Sequence, residues 1–309
     1  MALAPIALFV YNRPWHTRKT LEALSKSRLA DQTVLYVFSD GPKPNDAASK
    51  EKIAAVREVL RDRQWCKEIH IKEWPQNVGV APSIIDGITT VVNKHGKIIV
   101  LEDDLVVSTG FLEYMNDALD LYETQEPVMH VAATILPLKE ALPDTFFYNT
   151  VTCSGWATWQ RAWNHLRTDP QELLDEIKTK GLLDQFNIEG TENFASQLER
   201  CITGELNTWA IKWYSTVFLN KGLCLHPKKS LVKNIGWDGS GMHTGINFDY
   251  MVDEPLQSLK VEQLPLIENE QVRGYARAFY TKINNKTIAE RILLKLRSIP
   301  IRIRNLAKR

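Results

Sequence analysis

The chain is poor in the features that mark several common protein classes. Its four cysteines, Cys66, Cys153, Cys201 and Cys224, lie far apart with no CxxC pair. That spacing excludes a zinc ribbon or a redox dithiol and points to buried thiols in a reducing compartment. No apolar run approaches the roughly 20 residues that cross a bilayer. The opening MALAPIALFVYNRP has no preceding positive charge and no cleavage-like ending, so it reads as a first strand and not as a signal peptide. A net charge of +1 leaves no overall field for nucleic acid. There is no internal repeat and no low-complexity linker. These readings predict a cytoplasmic protein.

What is present is an ordinary globular composition, 44% hydrophobic and 24% charged over 309 residues, enough to bury a sizeable core. The charge is unevenly placed. Residues 282–309 carry nine basic side chains and one acidic one, which leaves the first 281 residues at −7. An acidic body with a basic tail of mixed apolar and cationic character suits either a docked terminal helix or an anionic membrane surface. The expected disposition is peripheral, on the inner face of a membrane.

The first 125 residues alternate strand and helix. Apolar runs at 6–11, 34–38, 69–72 and 98–101 read as strands, each closed by polar or turn-forming residues. Residues 46–62 read as an amphipathic helix, with Ile53, Val56 and Leu60 on one face. Such βα units predict a mostly parallel sheet covered by helices, whose ligands collect at the carboxyl ends of the strands. Four polar clusters fall there: Tyr11-Asn12-Arg13, Ser39-Asp40, Asn77 to Gly79, and Glu102-Asp103-Asp104. The last is the sharpest, because three adjacent carboxylates repel unless water, a cation or hydrogen-bond donors share the site. The alternatives are a solvated strand end and a cation site.

From about residue 128 the alternation stops. Helices are expected over 170–186 and 205–221. Six of the nine tryptophans lie between Trp156 and Trp237. Trp156, Trp159 and Trp163 share helical spacing and are expected mostly in the core, with Trp156 facing ligand. HPKKSLVKNIGWDGSGMHTG, rich in Gly and Lys, reads as a long functional loop. The expected organisation is a 1–127 half and a 128–270 half of one domain, followed by a 271–309 tail.

The ordered set VYNRP, SDG, NxG and EDD resembles the GT-A glycosyltransferases over roughly residues 5–245. EDD followed by FLEY, and SGWATWQRAW, resemble the N-acetylglucosaminyltransferase I type. NIGWDGSGMHTG resembles a phosphate-covering loop of related bacterial sugar transferases. The resemblance implies a GT-A, Rossmann-like α/β fold and a metal-dependent transferase. Its nucleotide-sugar donor would be a UDP-sugar and its acceptor a glycan or lipid-linked glycan of a bacterial surface polysaccharide.

It also implies roles. Asp104 would hold Mn²⁺ or Mg²⁺ at the donor diphosphate. Asp103 and Glu102 would face ribose or sugar, Asp40 the nucleoside, and Tyr11, Asn12 and Arg13 the base. Asn77 and Gly79 complete the donor set. A cation held by one or two carboxylates would neutralise the leaving diphosphate. Lys228, Lys229 and Lys233 could assist as point charges, and His243 could be a further ligand. Each also has a plain structural reading, a solvated face for the lysines and a turn for Asp40-Gly41. In GELNTWAIKW the positions matching the family's catalytic base are Asn207 and Thr208, and neither can act as one. Glu205 and Asp238 are the candidate bases. Two other functions compete. A sugar-phosphate nucleotidyltransferase would need a Gly-rich loop where this chain has YNRPWH, and a non-catalytic glycan-binding protein would keep the fold without turnover.

Overall fold

The computed structural model describes residues 2–238, 248–252, 254–290, 293–294 and 296–298. The first half is built as the apolar runs dictate. Strand β1 (Ile6–Val10) leads to helix α1 (Pro14–Leu24), with Pro14 in the first turn, where its missing N–H costs nothing. Then come β2 (Val34–Ser39), α2 (Ala47–Arg61) and β3 (Glu68–Glu73). The side chain of Asp46 caps α2 by accepting from the Ser49 amide. Helix α3 (Val80–His95) runs from Gly79 to Gly96, whose φ of 79° lets the chain turn sharply out of the helix into β4 (Lys97–Glu102). A short β5 (Leu105–Val107) and α4 (Phe111–Leu121) follow.

The second half is more strand-rich than its sequence suggests. It contains β6 (Val128–Ala132), β7 (Thr145–Phe147) and β8 (Trp156–Trp159), then helices α5 (Gln160–Trp163), α6 (Pro170–Thr179), α7 (Leu183–Phe186), α8 (Phe194–Ile202) and α9 (Ala210–Leu219). Strands β9 (Leu223–Pro227) and β10 (Val232–Asn234) and helix α10 (Glu270–Asn284) complete it. The helix expected over 170–186 is broken at Gly181, which has a φ of 68°. The one expected over 205–221 begins only at Ala210.

Eight strands form one sheet in the order β3-β2-β1-β4-β8-β6-β9-β7. Strands β3, β2, β1 and β4 are parallel, β8 runs antiparallel between β4 and β6, and β9 returns parallel to β6. Six strands thus point one way, and the fold is α/β with a mostly parallel sheet flanked by helices. Strands β5 and β10 pair separately. Alternation along β1 sends Ile6, Leu8 and Val10 into a core with α1, α2 and α4, and Ala7 and Phe9 into a second core with α3 and the tryptophans. Helix α10, at the start of the tail segment, buries Val272, Ala276 and Tyr280 against Phe146 and Tyr148.

Candidate functional site

The parallel strands β1, β2 and β4 end side by side, and the loop before α3 closes the edge they form. Between them lies a cleft of about 650 Å³. Its walls hold Phe9 to Arg13, Asp40, Lys43, Asn77, Gly79, Val80, Ser83, Ile84, Glu102 to Asp104, and Asn207. All four polar clusters expected at the strand ends therefore meet in one cavity. Lys43 and Ser83 were not anticipated. Lys43 follows the SDGP turn, and its only sequence signal is a cation placed just past a strand end.

The acidic triplet ends β4. The guanidinium of Arg13, at the start of α1, reaches across to it, bonded to Asp103 and 3.0 Å from Asp104 Oδ2. The positive group demanded by three adjacent acids is thus supplied by the chain itself. Burial opposes the charge on Arg13, but Asp103 and Asp104 outweigh it and hold the guanidinium protonated. One cation does not balance three acids. Burial, then Asp104 and Asp103, push Glu102 up to about 8. Burial raises Asp103 to about 6 against the pull of Arg13. Arg13 Nη1 and Asp103 Oδ2 are buried without a hydrogen-bond partner, and each such group costs about 1–3 kcal/mol.

The triplet is held from behind. Thr20 Oγ1 donates to the Asp103 carbonyl at 2.9 Å, and the Ile235 amide to the Asp104 carbonyl at 2.8 Å. Gly236 packs against the Asp104 carboxylate, so that a Cβ there would displace it. Beside it, Asp238 stands 3.4 Å from His16. Burial, then Arg13, lower the His16 pKa.

Asp40 is 6% exposed. Its carboxylate accepts from the amides of Gly41 (2.7 Å), Val78 (2.9 Å) and Gly79 (3.0 Å) and from Asn77 Nδ2 (2.7 Å). Four donors fill the acceptor capacity of the group. In this geometry Asp40 and Asn77 brace the loop that enters α3, so they shape the cleft wall. Tyr11 is positioned by Ser49 Oγ, which donates to its hydroxyl at 3.0 Å.

Several expected site residues fall elsewhere. Trp156 does not face ligand: it is fully buried in β8, stacked on His130 at 5.1 Å and Trp209 at 5.2 Å. Glu205 is exposed and 3.6 Å from Arg200, outside the cleft, because α9 starts too late to carry it inward. Asn207, in the same segment, does line the cavity. Lys233 stands on β10 opposite Val106 and is not among the cleft-lining residues. Lys228 pairs with Asp144 at 2.7 Å. His243 lies outside the described residues.

Among the described residues no three His, Cys, Asp or Glu side chains converge as a metal cage. Asp104 is nonetheless a partly exposed carboxylate in an oxygen-rich cluster with excess acid. That donor set fits a hard divalent cation that takes its other ligands from phosphate and water. Among the described residues no helix is long and apolar enough to cross a membrane.

No family model matches the sequence, and no curated protein matches it. Among solved structures the chain is similar to the mannosyltransferase PcManGT from Pyrobaculum calidifontis in complex with GDP-Man and Mn²⁺. The two are 10% identical with a TM-score of 0.41, over 71% of this chain and 69% of that one. It is similar also to S. aureus TarS, at 11% identity and a TM-score of 0.40, covering 74% of this chain but only 36% of TarS. A third is UDP-glucose pyrophosphorylase complexed with UDP-glucose, at 8% identity and a TM-score of 0.37, over 75% of this chain and 93% of that one.

Proposed function

We propose that the protein is a GT-A glycosyltransferase that moves a sugar from a nucleotide diphosphate sugar, a UDP-sugar, to a glycan or lipid-linked glycan of a bacterial surface polysaccharide. The observation that carries the reading is the convergence of Glu102, Asp103, Asp104 and Arg13 on the cleft that also holds Asn77 and Gly79. The under-satisfied cluster gains partners when a donor binds. Phosphate oxygens accept from Arg13, and a ribose hydroxyl donates to Asp103. Asp104 would hold Mn²⁺ or Mg²⁺, which supplies neutralising charge at the diphosphate. Tyr11 and the braced Asn77–Gly79 wall bound the nucleoside, and Lys43 adds a cation at the rim.

In transfer, the acceptor hydroxyl oxygen bonds to the anomeric carbon and the bond from that carbon to the diphosphate breaks. A base takes the hydroxyl proton. Of the two carboxylates expected for this role, Asp238 follows Gly236 by two residues and lies 3.4 Å from His16, though it is not among the cleft-lining residues, and Glu205 is paired with Arg200 away from the cleft. Asp238→Asn should abolish transfer while preserving donor affinity, with Glu205→Gln unaffected. The test of the whole reading is UDP release. Purified protein with UDP-sugars and Mn²⁺ should release UDP, whereas pyrophosphate from UTP and sugar phosphate would establish a nucleotidyltransferase instead. UDP binding without turnover on any donor would leave a glycan-binding protein.

Exposed Ile288, Leu293 and Leu296 beside the basic tail residues support docking of the C-terminal segment on an anionic membrane surface, each basic residue there contributing about 1 kcal/mol. Removing residues 287–309 should weaken binding to phosphatidylserine vesicles and leave soluble turnover unchanged. Equal vesicle binding by both forms would refute it.

A further inference from the structure

A second groove, of about 500 Å³, runs along one face of α3 and shares Asn207 with the cleft. Pro82, Asp86, Thr90 and Asn93 recur at one-turn intervals along the helix and form its floor. Lys212, in the first turn of α9, borders the opposite side, and Asn207 lines both the groove and the cleft. The groove is lined by the apolar Ala81, Pro82 and Ile85 together with hydroxyl, amide and charged groups, and its volume suits one or two sugar rings. Asp86 is already paired with Lys72 at 2.7 Å. Asn93 Oδ1 accepts from Gln160 Nε2 at 3.1 Å, which leaves the Asn93 amide as a donor. Lys212 is partly buried, and among the described residues no ion pair engages it.

We infer that this groove is the acceptor site and that Lys212 selects an acceptor sugar bearing an anionic group, a carboxylate or a phosphate. The inference rests on the nucleotide-sugar reading of the neighbouring cleft. A lysine that lines the groove without a carboxylate partner is the countercharge for an anion there, because the groove's other charge, Asp86, is already paired. Asn207, at the junction, positions the acceptor toward the donor.

The test uses the full chain saturated with UDP and diamagnetic Mg²⁺, titrated with glucuronic acid, glucose 6-phosphate and glucose while backbone amide resonances are followed. Both anionic sugars, or one of them, should shift Thr90 and Lys212, glucose at equal concentration should not, and the tighter ligand identifies carboxylate or phosphate. Lys212→Gln should weaken that binding at least fivefold, and Thr90→Tyr, which fills the groove from an exposed helix position, should abolish it, with UDP affinity unchanged in both. Absence of groove shifts with both anions, or equal affinity in Lys212→Gln, overturns the inference. Failure of UDP to bind the wild-type chain instead overturns the donor reading, and it registers separately because the two ligands report on different residues.

Discussion

The guanidinium of Arg13 lies between Asp103 and Asp104, 3.0 Å from the Oδ2 of the latter, which is the carboxylate proposed to hold a divalent cation. Arg13→Gln strips the countercharge from a buried carboxylate, a loss of about 3–5 kcal/mol. A fall in Tm is expected. Asp104 is then free of its internal cation, so Mn²⁺ followed by electron paramagnetic resonance without nucleotide should bind more tightly than to the wild type. An unchanged Tm together with weaker Mn²⁺ binding would show that the guanidinium does not hold this place.

Asp104→Asn keeps the shape of the turn against Gly236 and removes one charge. UDP affinity measured by calorimetry without metal should change little, while the gain on adding Mn²⁺ should vanish. A variant that keeps the wild-type metal enhancement would remove Asp104 from the cation site.

The acid cluster also makes stability depend on pH. Folding raises Glu102 to about 8 and Asp103 to about 6, so between pH 4 and 8 the folded chain binds more protons than the unfolded one. Stability from these groups is therefore greatest near pH 4 and is lost as pH rises through 6 and then 8. Their contribution should appear as a Tm that declines from pH 5.5 to 8.5 in chelator. Mn²⁺ with UDP should flatten the slope by favouring the charged carboxylates. The decline should be absent in Glu102→Gln/Asp103→Asn, if that variant folds, and calorimetry across the range reads both effects.

Asp40→Ala leaves the Gly41, Val78 and Gly79 amides without their acceptor. A loss of about 2–4 kcal/mol is expected, with faster amide exchange at Val78 and Gly79 and weaker UDP binding whether or not metal is present. Exchange rates at wild-type values would mean that the loop holds itself.

Much of this site is legible in the sequence because strand ends and turns are local. The apolar runs at 6–11 and 98–101 and the acids after the latter need no tertiary information. The partner of those acids does. Arg13 follows β1 and Asp103 follows β4, and only the parallel pairing of Phe9 with Glu102 brings the two ends together. Trp156 and Trp159 have the spacing of a helix because Trp163 continues it, yet the structure places the first two in a strand and the third in the helix beyond. Packing between two layers decided that period, and no short window carries it. Glu205 falls outside the cleft for a related reason: α9 begins only at Ala210, just after Trp209, which stacks on Trp156.

The antiparallel strand β8 lies between β4 and β6, although it follows both in sequence. During synthesis, β4 must therefore wait with one hydrogen-bonding edge bare until about 60 further residues have left the ribosome. Ile98 to Leu101 on that edge are wholly apolar and fully buried once β8 arrives. A truncated chain ending near residue 127 would present the edge permanently, as a template for pairing with other copies. The boundary between the two halves is thus a boundary in sequence that folding does not respect, and separate expression of the first half should yield aggregates.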